Sequence, residues 1–98
     1  MRTWDDYVEM VRSEGPEKAR MMDEIENTAH IIGEMIERRH NLNLSQRDLA
    51  KLCGIPHSSV ARIESLKVSP RISTLHKIFD KLGMRLRVEV TPIETSKK

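Results

Sequence analysis

The sequence predicts an all-α fold: a small helical domain with an N-terminal helical arm and a C-terminal β-strand that pairs across a dimer. Apolar residues recur at helical spacing through most of the 98 residues, and glycine, proline or hydroxyl residues separate these stretches. Near the C-terminus the period changes to two, the spacing of a strand with one buried face. A chain of this length holds one domain, which excludes a two-domain enzyme.

Composition narrows the classes of function. One Phe, one Tyr and one Trp are too few for a surface that stacks single-stranded nucleic acid. A single cysteine excludes an intramolecular disulfide framework and a four-cysteine zinc site, and we expect neither a metal nor another cofactor. No convergent nucleophile, base and oxyanion site is apparent, so we do not expect an enzyme. No apolar run suits a membrane span or signal peptide, which favours a cytoplasmic protein.

Charge is unevenly distributed along the chain. Residues 1–28 carry four basic and eight acidic side chains, a net charge of −4, whereas the remainder carries 13 and seven, a net charge of +6. A basic body favours a polyanion as its partner, and an acidic arm favours a basic protein. Attraction between the two halves of the same chain is the alternative.

The acidic segment predicts a helical arm. Thr3 and Asp6 have the spacing of a capping box, and an amphipathic helix over about residues 4–12 follows. Pro16 suits the first position of a second helix, and a helix over about 29–40 is expected whether or not the two are continuous. The apolar face of this stretch consists of Ala19, Met22, Ile25, Ala29, Ile32 and Ile36.

Two short helices joined by a glycine turn follow the arm. Ser45 is a predicted N-cap with Asp48 three residues later, and Leu49, Ala50, Leu52 and Cys53 form the apolar face of that helix. Gly54 stands where a left-handed residue turns the chain. The next helix is expected from about residue 56 to 64, and a further helix over about 72–82 completes the domain. The outward face of the helix after Gly54 is formed by His57, Ser58, Ser59 and Arg62.

Residues 84–92 predict the β-strand. Its apolar positions alternate with polar ones and Pro92 ends it. A lone strand leaves its backbone groups without partners, so we expect pairing with the same strand of a second copy across a two-fold axis. The alternative is a strand that lies on the helices of its own protomer; residues 93–98 are expected to form a flexible tail. The predicted dimerisation contacts are Met84, Leu86, Val88 and Val90.

The stretch from about residue 31 to 83 resembles the Cro/CI-type (XRE) helix-turn-helix family. It carries LSQRDLA at 44–50, SSVARIE at 58–64 and LHKIFDKLG at 75–83. The resemblance implies a five-helix, lambda repressor-like DNA-binding domain over residues 29–83, in which the third helix of the domain reads the duplex.

The resemblance also implies how this domain contacts DNA. The implied base contacts are His57, Ser58, Ser59 and Arg62. The implied phosphate contacts, which position the domain without reading sequence, are Ser45, Gln46, Lys67 and Arg71. Pro56 departs from the family's usual hydroxyl residue, and Leu66 from its frequent glycine, so the reading helix is expected to be capped differently. Pairing of Arg62 with a neighbouring carboxylate is the alternative to DNA contact.

The whole chain looks most like the HigA-type antitoxins of bacterial type II toxin-antitoxin modules. A helical arm with aromatic residues precedes the helix-turn-helix, and LGMRLRVEVTP follows it at 82–92. The resemblance implies a homodimeric repressor of a palindromic operator whose second partner is a basic, RelE/HigB-like, mRNA-cleaving toxin. The alternatives are a free-standing XRE regulator without a toxin, an arm packed on its own body, and a small enzyme or RNA-binding module. The implied toxin contacts are Trp4, Tyr7, Val8 and Val11.

Overall fold

The computed structural model describes residues 3–93 and contains five α-helices within them. No strand is present in this range, and the all-α prediction is confirmed. None of the helices between residues 3 and 93 has the length and apolar character needed to cross a bilayer. The helices are α1 (Trp4–Arg12), α2 (Pro16–Asn41), α3 (Gln46–Cys53), α4 (His57–Glu64) and α5 (Ile72–Lys81).

The arm begins with the predicted capping box. The Thr3 hydroxyl accepts the Asp6 backbone N–H at 3.2 Å, and the Asp6 carboxylate accepts the Thr3 N–H at 3.1 Å. Beyond the turn, α2 is continuous from Pro16 to Asn41, so the helix expected over 29–40 begins well upstream. Ordinary residues lower helix propensity by less than about 0.7 kcal/mol and a glycine by about 1 kcal/mol, too little to interrupt a helix packed at both ends.

The arm packs on the N-terminal half of α2. Val8 of α1 and Met22 of α2 are buried, although neither belongs to the main core. At the end of α1 the Arg12 guanidinium pairs with Asp23 and lies 2.7 Å from Glu26, both on α2. These two carboxylates raise the pKa of Arg12, with the hydrogen bond to Asp23 as the largest cause. All of these contacts lie within residues 1–28, so packing of the arm on the body of the chain stays an untested alternative.

The main core lies between the C-terminal half of α2 and helices α3–α5. Its buried members are Ile32, Met35, Leu49, Ala50, Cys53, Val60, Ile63, Leu75, Ile78, Phe79 and Leu82. Ile25, Ala29 and Leu52 were expected on buried faces, but all three are exposed. The periodicity places them correctly on a helix, yet burial requires a neighbouring element, and no other helix covers these positions.

Helix ends in the body use left-handed residues. Gly54 ends α3 at φ 68°, as the sequence predicts. After α4, Leu66 adopts φ 63°, the left-handed conformation that glycine adopts at the lowest cost. The Ser65 hydroxyl donates to the Arg62 carbonyl at 3.0 Å, which satisfies one carbonyl of the last turn. The left-handed turn after α4 is therefore formed by a leucine in this chain.

The predicted strand at 84–92 is absent from the single chain. No hydrogen-bonded ladder forms there, since one chain supplies no second strand. Met84 and Leu86 are partly buried against the core of their own protomer, as in the alternative in which this segment lies on its own helices, whereas Val88 and Val90 are exposed. The assignment of these four residues to a dimer interface stays a prediction. Apart from residue 93, the expected flexible tail lies outside the described residues.

Candidate nucleic-acid interface

The outward face of α4 presents the predicted base contacts to solvent. His57, Ser58 and Arg62 are exposed and Ser59 is half-buried. The opposite face of the same helix is anchored in the core through buried valine and isoleucine side chains. Within residues 3–93 Arg62 forms no ion pair, so the alternative in which a neighbouring carboxylate holds it is not realised. A rigidly anchored helix with a polar outer face suits the major groove, which accepts one α-helix.

The N-terminus of α4 lacks a side-chain cap. Pro56 occupies the N-cap position and has no oxygen that accepts a hydrogen bond from the first turn. The first turn also contains no acidic residue. The helix dipole and these N–H groups therefore favour a negatively charged group at this end.

A buried ion pair fixes α4 to α2. Arg39 Nε donates to Glu64 Oε2 at 2.7 Å and Arg39 Nη2 donates to Glu64 Oε1 at 2.8 Å. The two side chains are only 9% and 6% exposed. Arg39 Nη1 also donates to the Leu44 carbonyl at 2.8 Å, in the loop before α3. Bidentate pairing of this kind restricts the orientation of α4 relative to α2 and to the loop before α3.

Sequence reasoning missed this pair. The sequence predicts no partner for Arg38 or Arg39, but Arg39 is buried and Arg38 Nε donates to the Leu82 carbonyl at 2.9 Å. A signal was available, since Arg39 follows Ile32 and Met35 at the spacing of one buried helix face. A charge on such a face requires a partner, because an unpaired buried charge is strongly unfavourable.

The ion pair also orients Gln46, the predicted phosphate contact at the start of α3. Its Nε2 donates to Glu64 Oε1 at 2.9 Å, and the side chain is half-buried. An amide NH2 group has two hydrogens, so one remains for a further acceptor. The hydrogen bond to Glu64 therefore fixes the orientation of the Gln46 amide. The second N–H of that amide is the group that can donate to a phosphate oxygen.

Ser45 caps α3 and is exposed. Its hydroxyl accepts the Asp48 N–H at 3.0 Å, and the Asp48 carboxylate accepts the Ser45 N–H at 2.9 Å. The bond from the Ser45 backbone is the largest cause of a lowered pKa for Asp48. The serine hydroxyl retains its own hydrogen for a phosphate, but the ionised Asp48 weakens the attraction of this helix end for an anion.

Basic side chains also flank α4 on its C-terminal side. Lys67 and Arg71 are exposed in the loop that joins α4 to α5. Ser59, Arg62 and Arg71 line one open groove between α4 and the start of α5. The structure therefore brings a predicted base contact and a predicted phosphate contact to the same surface.

The residues implied as toxin contacts divide into two sets. Trp4 and Tyr7 are about half exposed, and their rings stack with centroids 5.6 Å apart. Val8 is buried and Val11 is half-buried. The assignment of Val8 as a partner contact is therefore wrong for the arm in this position, because Val8 faces the protomer's own α2.

Other reactive groups do not form a site in the described part of the chain. No cluster of three potential metal ligands occurs between residues 3 and 93. Cys53 is buried in the core, and desolvation raises the pKa of its thiol. A protonated thiol is a poor nucleophile, which agrees with a packing role.

A protein-family profile matches the body of the chain. Residues 35–88 match the profile of a family described as helix-turn-helix. This is more than half of the chain, and it includes α3, α4 and α5 in full.

Two curated relatives align with part of the chain. The HTH-type transcriptional regulator PuuR of Escherichia coli (strain K12) is 48% identical over 50 residues, which cover 51% of this chain and 27% of that protein. An uncharacterized HTH-type transcriptional regulator of Haemophilus influenzae is 36% identical over 58 residues, which cover 59% of each chain. The aligned part is therefore less than two thirds of the length of either relative.

A solved structure matches nearly the whole chain. It is described as a toxin-antitoxin module from Streptococcus pneumoniae, and it superposes with a TM-score of 0.66 at 31% sequence identity. The match covers 93% of this chain and 96% of that one, so it includes most of the arm as well as the body.

Proposed function

Because the chain belongs to the XRE-type helix-turn-helix family, we propose that it is a sequence-specific transcriptional repressor that also serves as the antitoxin of a type II module. The observation that carries the proposal is the geometry of α4. One face is fixed in the core and by the Arg39–Glu64 pair, while His57, Ser58 and Arg62 remain exposed on the other. Such a helix can enter a major groove without rearrangement of the protein.

In this proposal the exposed residues divide by the part of DNA they contact. His57 and Ser58, at the N-terminal end of α4, contact base edges, as do Ser59 and Arg62 on the same side of the helix. Phosphates on either side are held by the N-terminus of α3 and by the loop after α4. Base contacts supply sequence discrimination, whereas phosphate contacts supply affinity that falls with salt. The phosphate contacts are Ser45, Gln46, Lys67 and Arg71.

The proposed repressor acts as a dimer. A single domain that contacts a few phosphates binds with a Kd of about 10⁻⁴ to 10⁻⁶ M in this class of protein. Two copies joined through their C-terminal segments present two α4 helices to successive turns of the duplex, roughly 34 Å apart, and so bind a palindrome. Exposure of Val88 and Val90 in the single chain supports an interface in this segment.

The antitoxin role rests on the arm. The similar toxin-antitoxin structure extends over most of it, and Trp4 and Tyr7 present an aromatic surface on an acidic segment. Aromatic anchors supply affinity, and carboxylates attract a basic partner. We propose that these two residues, together with the half-buried Val11, bind a basic, RelE/HigB-like, mRNA-cleaving toxin.

A free-standing regulator without a toxin is the second candidate. It is favoured by the two curated relatives, whose descriptions name only regulators and whose similarity is confined to about half of this chain. In that case the exposed aromatic pair of the arm would have no toxin to bind.

A DNA-binding experiment tests the repressor. Quantitative footprinting on the DNA upstream of the chain's own gene compares the native protein with Arg62→Ala and His57→Ala. Each variant is expected to lose about 1 to 3 kcal/mol of discrimination between operator and random DNA. Arg20→Ala is the matched control, because it removes an exposed arginine far along α2 from α4. Equal discrimination in all four proteins would contradict the assignment of α4.

A capture experiment separates the antitoxin from the free-standing regulator. The tagged chain is purified from its host and co-purifying proteins are identified by mass spectrometry. The antitoxin proposal expects a small basic protein in stoichiometric amount, lost in Trp4→Ala/Tyr7→Ala but retained in Met21→Ala, an exposed control on α2. Recovery of the chain without such a protein, in cells that express the neighbouring genes, would favour the free-standing regulator.

A further inference from the structure

The segment after α5 borders an uncovered apolar surface. Val88 and Val90 are 58% and 90% exposed. Beside them lies a groove of about 690 Å³ between α2 and the start of α5, lined in part by Ile31, Leu75 and Leu86. Ile72, which also lines the groove, is exposed as well. Adjacent apolar side chains left in water in this way are typical of a surface that another chain covers.

Resting on the proposed dimer, we infer that a second copy of this chain covers the surface, and that the two C-terminal segments pair antiparallel in a register centred on Val88. The two-fold axis of an antiparallel pair stands perpendicular to the ribbon and passes between one residue and its own copy. The register is therefore defined by the residue that faces itself.

Charge complementarity selects the register. With Val88 at the centre, Arg87 of each chain lies opposite Glu89 of the other, so symmetry produces two opposite-charge pairs. On the other face Leu86 lies opposite Val90. Opposite charges directly across an antiparallel pair stabilise it, and like charges destabilise it.

Neighbouring registers are less favourable. A centre at Arg87 also forms two opposite-charge pairs, between Arg85 and Glu89, but it places the two Arg87 side chains directly opposite each other. A centre at Glu89 places two glutamates opposite each other. A centre at Leu86 opposes Arg85 to Arg87 twice. A centre at Val90 avoids like charges but forms no ion pair between described residues and leaves Arg87 opposite residue 93.

The register centred on Val88 also provides a residue that covers the groove. Leu86 packs on the core of its own protomer, so the apolar face of the ribbon points toward the protein body. Val90 of the partner subunit, opposite Leu86, then lies over the groove. Pro70 and Ile72 also line it and flank Arg71, so an occupied groove would restrain the loop that carries two of the proposed phosphate contacts.

Symmetric disulfide trapping tests the register directly. In a Cys53→Ala background, single cysteines replace residues 86 to 90 in turn, and disulfide-linked dimer is measured after mild oxidation. Directly opposed residues have Cα atoms about 4.5 to 5.5 Å apart, within the range that a disulfide spans. Val88→Cys is expected to cross-link at least several-fold more than Arg87→Cys or Glu89→Cys.

Each other outcome overturns a defined part of the inference. A maximum at residue 86, 87, 89 or 90 would refute the register and leave the ribbon intact. Dimers in sedimentation without cross-linking at any of the five positions would refute the ribbon, and a monomer throughout would refute the dimer. If no α4 variant lost operator discrimination while Val88→Cys cross-linked efficiently, the proposed function would be refuted and the register would stand.

Charge exchange gives an independent readout. Glu89→Arg places two arginine pairs across the ribbon and is expected to weaken the dimer by about tenfold or more. The double variant Arg87→Glu/Glu89→Arg restores opposite charges only in the register centred on Val88, so its dimer Kd should return to near the native value. Failure of this rescue, measured by sedimentation equilibrium, would contradict the inference.

Discussion

The two ends of α2 are held by different kinds of contact. At the C-terminal end the Arg39 and Glu64 side chains are 9% and 6% exposed, and their pair links α2 to α4. At the N-terminal end the pair that links α1 to α2 is far more accessible, with Arg12 35% and Asp23 58% exposed. Solvent screens an exposed pair, whereas a buried pair leaves a strongly unfavourable charge if one partner is removed.

This difference corresponds to the two tasks we propose. Reading base edges requires a helix in a fixed orientation, and the buried network around α4 supplies it. The arm instead combines one buried valine, Val8, with aromatic residues that remain exposed. A shallow attachment with an uncovered apolar surface suits a helix that contacts a second protein.

The largest expected effect compares the two ion pairs. Glu64→Ala removes the carboxylate but leaves the Arg39 guanidinium buried, so the free energy of unfolding should fall by about 3 to 5 kcal/mol. Arg12→Ala, the control in the arm, should cause a much smaller loss because its pair is exposed. Urea denaturation of both variants measures the difference, and equal losses would show that burial does not distinguish the two ends.

Removal of the helix N-caps provides a second comparison between the arm and the main core. Ser45→Ala should lower the global free energy of unfolding by about 1 kcal/mol, because α3 contributes to the main core. Thr3→Ala removes an equivalent cap from α1 and should increase hydrogen exchange in the arm with little change in global unfolding. The opposite distribution of effects would mean that the arm, not α3, belongs to the cooperative core.

Asp48 adds a pH dependence to the same helix end. Its pKa is lowered in the folded protein, chiefly by the hydrogen bond from the Ser45 backbone. Its contribution is therefore fully present above the ordinary carboxyl pKa and is lost as the pH falls through the lowered folded value. Asp48→Asn should be less stable than the native protein at neutral pH, and the gap should close in strong acid. A gap that widens toward acid in thermal unfolding would reverse the assigned sign.

The smallest expected effect concerns Gln46. Loss of one phosphate contact in Gln46→Ala should weaken binding to operator and random DNA alike in titrations at several salt concentrations. The salt dependence should stay the same, because the amide is uncharged and neutralises no phosphate. Asn41→Ala, an exposed amide outside the interface, is the control. Selective loss at a single base position would instead make Gln46 a base contact.

Sequence reasoning succeeded where an interaction joins residues that are close together along the chain. The caps at Thr3 and Ser45 and the turn at Gly54 were predicted because each depends on residues within one helical turn. The Arg39–Glu64 pair joins residues 25 positions apart, and no local pattern names that partner. Burial of Ile25 was predicted wrongly because a periodic face shows where a residue points but not what covers it.

The same reasoning limits the C-terminal prediction. The alternation at 84–92 indicates one apolar face, but strand formation depends on a second set of backbone groups. Met84 and Leu86 find their contacts within the protomer, while Val88 and Val90 do not. The base and phosphate assignments likewise stay predictions, since they describe contacts with a molecule outside the chain.

Hydrogen exchange of the native protein with and without its operator tests the central claim most directly. Peptides that cover α4 and the loop to Arg71 are expected to exchange more slowly when operator DNA is bound. The Trp4–Arg12 peptide should keep the rate of the free protein. Protection of α1 by DNA, with α4 unchanged, would contradict the account.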